Sequence, residues 1–106
     1  MDLNTKREIL SKLKHDLMAH FDLNSLILFG SQISENSNEN SDFDILIVLN
    51  KYKSKKDENE IMDICYNVDL KYNIIIDSHV LSTDELSTLR GRQPIFVNAL
   101  KNGIYA

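Results

Sequence analysis

Apolar residues recur at helical spacing along the first twenty or so positions. Ile9, Leu10, Leu13, Leu17 and Phe21 fall on one stripe, with charged and polar residues between them. That spacing predicts an N-terminal helix, and Thr5 followed by Glu8 reads as its capping box. The pattern then changes. Residues 26–29 are a short apolar run closed by Gly30, which fits a strand covered on both faces. Residues 32–41 hold Gln, Asn, Ser and Glu around one apolar residue, Ile33, and predict a mobile loop or a poor short helix followed by a loop. A second strand is expected over 42–49, then an exposed basic connection over 51–56.

Helical spacing returns over 57–72, where Ile61, Cys65, Val68 and Tyr72 share a stripe and Asp63 and Asp69 fall on the solvated side. Cys65 reads there as a small core residue. A third strand is expected over 74–81. Ser82 with Glu85 forms a second capping box, opening a helix through Leu86 and Leu89 that Gly91 breaks. Pro94 suits the first turn of a last helix and Gly103 its C-cap. The order α-β-(loop)-β-α-β-α-α predicts one α/β (α+β) domain over residues 1–106. Its sheet should be mixed, with three or four strands and helices mostly on one side. In the last segment Ile95, Phe96, Ala99 and Leu100 either pack onto that sheet or form an exposed apolar patch with Ile104 and Tyr105; the pattern leaves both open.

Composition narrows the class. With 42% hydrophobic and 26% charged residues the chain is neither disordered nor fibrous. A net charge of −4 argues against a partner gripped mainly through nucleic-acid phosphates. One cysteine cannot form an internal disulfide. No apolar run approaches the ~20 residues that span a bilayer, and the N-terminus lacks a signal-peptide core. A cytoplasmic chain with no membrane association is expected.

Three acids stand where stability alone would not put them. Asp42 and Asp44, two apart on an apolar strand, leave the same face; Asp77 interrupts the apolar third strand. Carboxylates brought together on adjacent strands repel unless a cation sits among them. Hard oxygen ligands of this kind suit Mg²⁺ shared with substrate phosphates, and two such ions can hold the attacking and leaving oxygens of an in-line displacement. Gly30-Ser31, closing the first strand, lets the backbone approach a phosphate and offers a hydroxyl and an N–H. His79 shares the face of Asp77; it reads as a partly buried strand histidine or as a neighbour of the site. Arg90 and Arg92 read as an exposed loop, or as cations within reach of a phosphate.

Gly30-Ser31, ten residues, then Asp42-Phe43-Asp44, set in LILFGSQISENSNENSDFDILIVL, resembles the minimal nucleotidyltransferase family of the DNA polymerase beta-like superfamily. Asp77 in IIIDSHVLSTDEL sits where that family has its third acid, and FVNALKNGIYA resembles its closing segment. The resemblance implies a nucleotidyltransferase fold and transfer of a nucleoside monophosphate, most simply AMP from Mg-ATP, to a hydroxyl. It implies Asp42, Asp44 and Asp77 as catalytic metal ligands and Gly30 and Ser31 as the nucleotide-binding turn. It further implies a helical HEPN-type partner protein, with this chain as antitoxin of a toxin-antitoxin pair. Ile33-Ser34-Glu35 stand where the family usually has Ala-Arg-Gly, which removes a cation and adds a like charge. The alternative it carries is a weak or inactive module that neutralises a helical partner by association only.

Overall fold

The computed structural model describes residues 2–33, 42–51, 54–88 and 92–106. The first element is helix α1 (Leu3–Met18), which begins earlier than Thr5. Asp2 takes the N-cap because its extended backbone lets its carboxylate accept the Thr5 N–H at 2.8 Å. Thr5 therefore lies inside the helix. Strand β1 (Leu23–Phe29) follows, then a 3₁₀ turn over Gly30–Ile33. Strand β2 (Phe43–Leu49) leads into α2 (Lys55–Tyr72), which carries its own capping box between Ser54 and Asp57. Asn73, left-handed at φ 54°, ends α2 and turns the chain into β3 (Ile76–Ser82). Ser82 does donate to Glu85, through its N–H at 3.1 Å, but the element it opens is a 3₁₀ turn over Thr83–Ser87. Leu89, Arg90 and Gly91 lie outside the described residues. Helix α3 (Pro94–Asn102) has proline in its first turn, and a short β4 (Ile104–Tyr105) closes the chain.

The four strands form one mixed sheet in the order β3-β2-β1-β4. β1 pairs antiparallel with β2 and with β4, while β2 and β3 run parallel across the α2 crossover. The short β4 is reached through Gly103. A Cβ there would lie 2.9 Å from the Leu28 carbonyl oxygen and would also strike Ile27 and the Ala99 carbonyl. Gly103 is thus needed for close approach rather than for a left-handed cap, since its φ is −73°.

As expected, most of the helical structure, α1 and α2, covers one face of this sheet, and only the shorter α3 covers the other. Leu26, Leu28, Phe43, Ile45, Ile47 and Leu49 turn toward α1 and α2, where they meet Ile9, Leu10, Leu13, Leu17, Ile61, Cys65 and Val68. The alternate residues Ile27, Phe29, Leu46 and Val48 turn the other way and meet Leu81 and, from α3, Phe96 and Ala99. Burying each large side chain of this kind contributes on the order of 1.5–3 kcal/mol. Of the two readings of the last segment, packing onto the sheet therefore holds for Phe96 and Ala99; Ile95, Val97 and Tyr105 remain exposed. No helix among the described residues is long and apolar enough to cross a membrane.

Cys65 is buried in the α1–α2 layer, and loss of hydration, with a smaller push from the Asp69 charge, raises its thiol to about 11. The thiolate is the reactive form. Iodoacetamide at about pH 8 should leave Cys65 unmodified in the native chain and alkylate it at the rate of a free thiol, pKa ~8.5, in urea. Peptide mass mapping distinguishes the two; rapid native labelling would contradict this packing.

Candidate active site

Three strand ends meet at one margin of the sheet: the carboxyl end of β1 and the amino ends of β2 and β3. Phe29 lies opposite Asp44, and Asp44 opposite Asp77. Residues directly opposite each other project from the same face. Phe43 and Ile45 turn toward α1 and α2, so alternation sends Asp44, and Asp77 beside it, out on the α3 face. One ligand atom from each of Asp44, Asp77 and His79 lies within 4.8 Å of the other two. Asp77 and His79 themselves approach to 3.6 Å, with side chains 54% and 26% exposed.

Electrostatics follows from that crowding. The Asp44 carboxyl is held above its ordinary range chiefly by loss of hydration. The Asp77 charge, a hydrogen bond to Asp77 and the more remote Asp42 add to the effect, and His79 opposes it. Two carboxylates held this close without a cation destabilise each other, and a bound divalent ion would reverse that. The donor set fits one: hard oxygens on a rigid pair of strands, partly open so that substrate oxygens can complete the coordination.

The turn after β1 is pressed against the acids. Gly30 has φ 75°, and a Cβ added there would collide with Asp44 Oδ2 and stand 3.1 Å from its Cγ. Glycine is thus required twice, by the left-handed backbone and by the space Asp44 occupies. Ser31 is exposed beside it, and Gln32 is buried. What holds the turn is Lys6 of α1, whose side chain is 2% exposed and whose Nζ donates to the Gln32 carbonyl at 2.7 Å.

Of the residues expected from sequence, the structure brings Asp44, Asp77 and Gly30 together, with Ser31 next in the turn. Asp42 is exposed at the entry to β2, outside the group of three ligand atoms, though its charge reaches both Asp44 and Asp69. Of the two expectations for the segment from Gln32, a mobile loop or a poor short helix, the second holds at its start, where Gln32 lies in the 3₁₀ turn; residues 34–41 lie outside the described residues. Asp69 is not simply solvated: its carboxylate accepts the Ile76 N–H at 2.9 Å and ties the end of α2 to the start of β3. Arg92 is exposed. Lys6 was missed, although it stands three and four residues before Ile9 and Leu10 on the apolar stripe. That position was the available signal. A further cleft of about 390 Å³ runs along the open edge of β3, lined by Lys55, Glu58, Met62, Asp77 and His79 among others.

Two substitutions test this arrangement. Asp44 has a folded pKa above its ordinary 3.8, so the folded chain binds more protons than the unfolded one and stability falls as pH rises through that window. Asp44→Asn should therefore raise the metal-free melting temperature at neutral pH. The difference from the parent should shrink as pH falls toward 3.8 and vanish below it, read by thermal denaturation of both chains across pH. Lys6→Met keeps the stem but leaves the buried Gln32 carbonyl without that donor. It should cost about 1–3 kcal/mol in urea denaturation.

Comparisons with known proteins identify the family. The family profile described as "Polymerase beta, Nucleotidyltransferase" matches residues 11–90. A Methanocaldococcus jannaschii protein named "Putative protein adenylyltransferase MJ0141" is 34% identical over 71 residues, which is 65% of this chain and 72% of that protein. No solved structure matches significantly. The matched segment contains the Gly30-Ser31 turn and both strands that carry the acids. The chain belongs to the polymerase beta nucleotidyltransferase family.

Proposed function

We propose that the chain transfers AMP from ATP to a hydroxyl on a partner protein. The observation that carries this reading is the pairing of Asp44 with Asp77 on adjacent parallel strands, with the Gly30-Ser31 turn folded against Asp44. The similarity to a protein named as an adenylyltransferase supports the adenylyl group and a protein acceptor.

In this reading Asp42, Asp44 and Asp77 would hold Mg²⁺. The bound metal supplies neutralisation of the triphosphate charge and alignment of the reacting oxygens. Gly30 and Ser31 present backbone N–H groups and a hydroxyl to the phosphates, and Lys6 keeps their turn in place from behind. The acceptor hydroxyl attacks the α-phosphorus in line. Its oxygen–phosphorus bond forms as the bond to pyrophosphate breaks, and its proton passes to the Asp77 carboxylate, the more exposed acid of the pair. The chain contributes mainly position and charge.

The acceptor fits a helical HEPN-type protein, with this chain as the antitoxin of a toxin-antitoxin pair. A second reading, neutralisation by binding alone, is favoured by Ile33-Ser34-Glu35, which leaves the segment after Gly30-Ser31 without the arginine usual in relatives. One experiment separates them. The chain is used as bait in its native cell, a helical protein that co-purifies with it is co-expressed with it, and the partner's intact mass is measured. Addition of adenylyl groups, lost by at least ~100-fold in rate with Asp44→Asn while the complex persists, supports transfer. An unmodified partner that is still neutralised, with no Mg²⁺-dependent ATP binding by calorimetry, supports the binding module instead.

A further inference from the structure

His79 is placed more specifically than a strand histidine needs to be. Its ring sits between Phe29 and Phe96, with both centroid separations 5.8 Å, one contact tilted and the other edge-on. Phe29 ends β1 and Phe96 belongs to α3, and both are buried at 4% exposure. Two rigid neighbours from different elements therefore fix the plane of the imidazole. In that plane Nε2 lies 3.6 Å from Asp77 Oδ2.

That separation is too long for a good hydrogen bond. It does suit two neighbouring ligands of one ion: donors about 2.1 Å from a common centre, at angles between octahedral and tetrahedral, stand roughly 3–3.5 Å apart. All three ligand atoms of Asp44, Asp77 and His79 lie within 4.8 Å of one another, so small rotations of the two carboxylates would close the set around a single cation.

We propose that His79 Nε2 is a further ligand of the cation held by Asp44 and Asp77, and that it shifts this site from Mg²⁺ toward first-row divalent ions such as Mn²⁺ and Co²⁺. This rests on the nucleotidyltransferase reading of the two acids. Mg²⁺ favours an all-oxygen shell and keeps its waters, whereas imidazole is a borderline donor that gains affinity along the first transition row. Because the ring is already ordered by Phe29 and Phe96, little side-chain freedom is lost when it coordinates.

The test uses the whole chain without nucleotide. Mn²⁺ binding is followed by electron paramagnetic resonance with Mg²⁺ as competitor, and nitrogen coordination by electron spin-echo modulation. The parent chain should bind Mn²⁺ about tenfold or more tightly than Mg²⁺ and show ¹⁴N modulation. His79→Gln should lose that modulation and about tenfold in Mn²⁺ affinity, with Mg²⁺ affinity changed by no more than about twofold. His79→Phe, which keeps an aromatic ring between Phe29 and Phe96, provides the same comparison if the glutamine variant does not fold. Modulation that is absent from the parent complex, or that persists in both variants, would overturn the assignment of His79. Asp44→Asn separates the two readings. If it abolishes Mn²⁺ binding while the His79 variants change nothing, the acidic site stands and the histidine ligand falls. A parent chain that binds no Mn²⁺, or binds it regardless of Asp44, overturns both.

Discussion

The parallel register between β2 and β3 is the constraint on which both the core and the site depend. It sets Asp44 opposite Asp77 and, four residues on, Val48 opposite Leu81. A slip of one residue would turn the side chains of one strand to the other face relative to its neighbour. The acids would part, and Leu81 would leave the apolar layer that holds Val48, Phe96 and Ala99. The hydrophobic pattern that secures the register is thus the same one that assembles the carboxylates. The like-charge cost at Asp44 is borne by a strand whose next five residues are all buried.

The turn at Gly30–Ile33 is supported from the opposite layer. Lys6 belongs to the apolar face of α1, yet its amine reaches the Gln32 carbonyl, and Gly30 on the near side leaves room for Asp44. A buried amine is tolerated only where acceptors satisfy it. Among the described residues no buried side-chain nitrogen or oxygen lacks a hydrogen-bond partner. The position of a solvent-facing binding turn is therefore set by contacts within the helical layer beneath it. Exposed apolar surface lies elsewhere than the last helix alone: Met62, Tyr66 and Leu70, four residues apart, form an outward stripe on α2.

Much of this was legible in the chain. Short apolar runs located three strands, and helical spacing with the Pro94 and Gly103 signals located the three main helices, because burial leaves its pattern in the sequence. The acids stood out for a related reason, since Asp44 and Asp77 break otherwise apolar runs. Gly30-Ser31 and the ten-residue spacing to Asp42 supplied the family. Boundaries were less legible. Asp2, rather than Thr5, caps α1, and β4 is only two residues long, too short to carry a period.

What sequence alone determined was the main helices and strands, the acidic residues and the family, all properties of local spacing. Tertiary structure decided which residues meet. It put α3 on the face opposite α1 and α2, turned Asp69 to the Ile76 backbone, tied Lys6 to Gln32 across 26 positions and framed His79 between two phenylalanines. None of these contacts repeats along the chain, so no periodicity announces it. Each follows from strand order and crossover, which bring distant residues to one margin of the sheet.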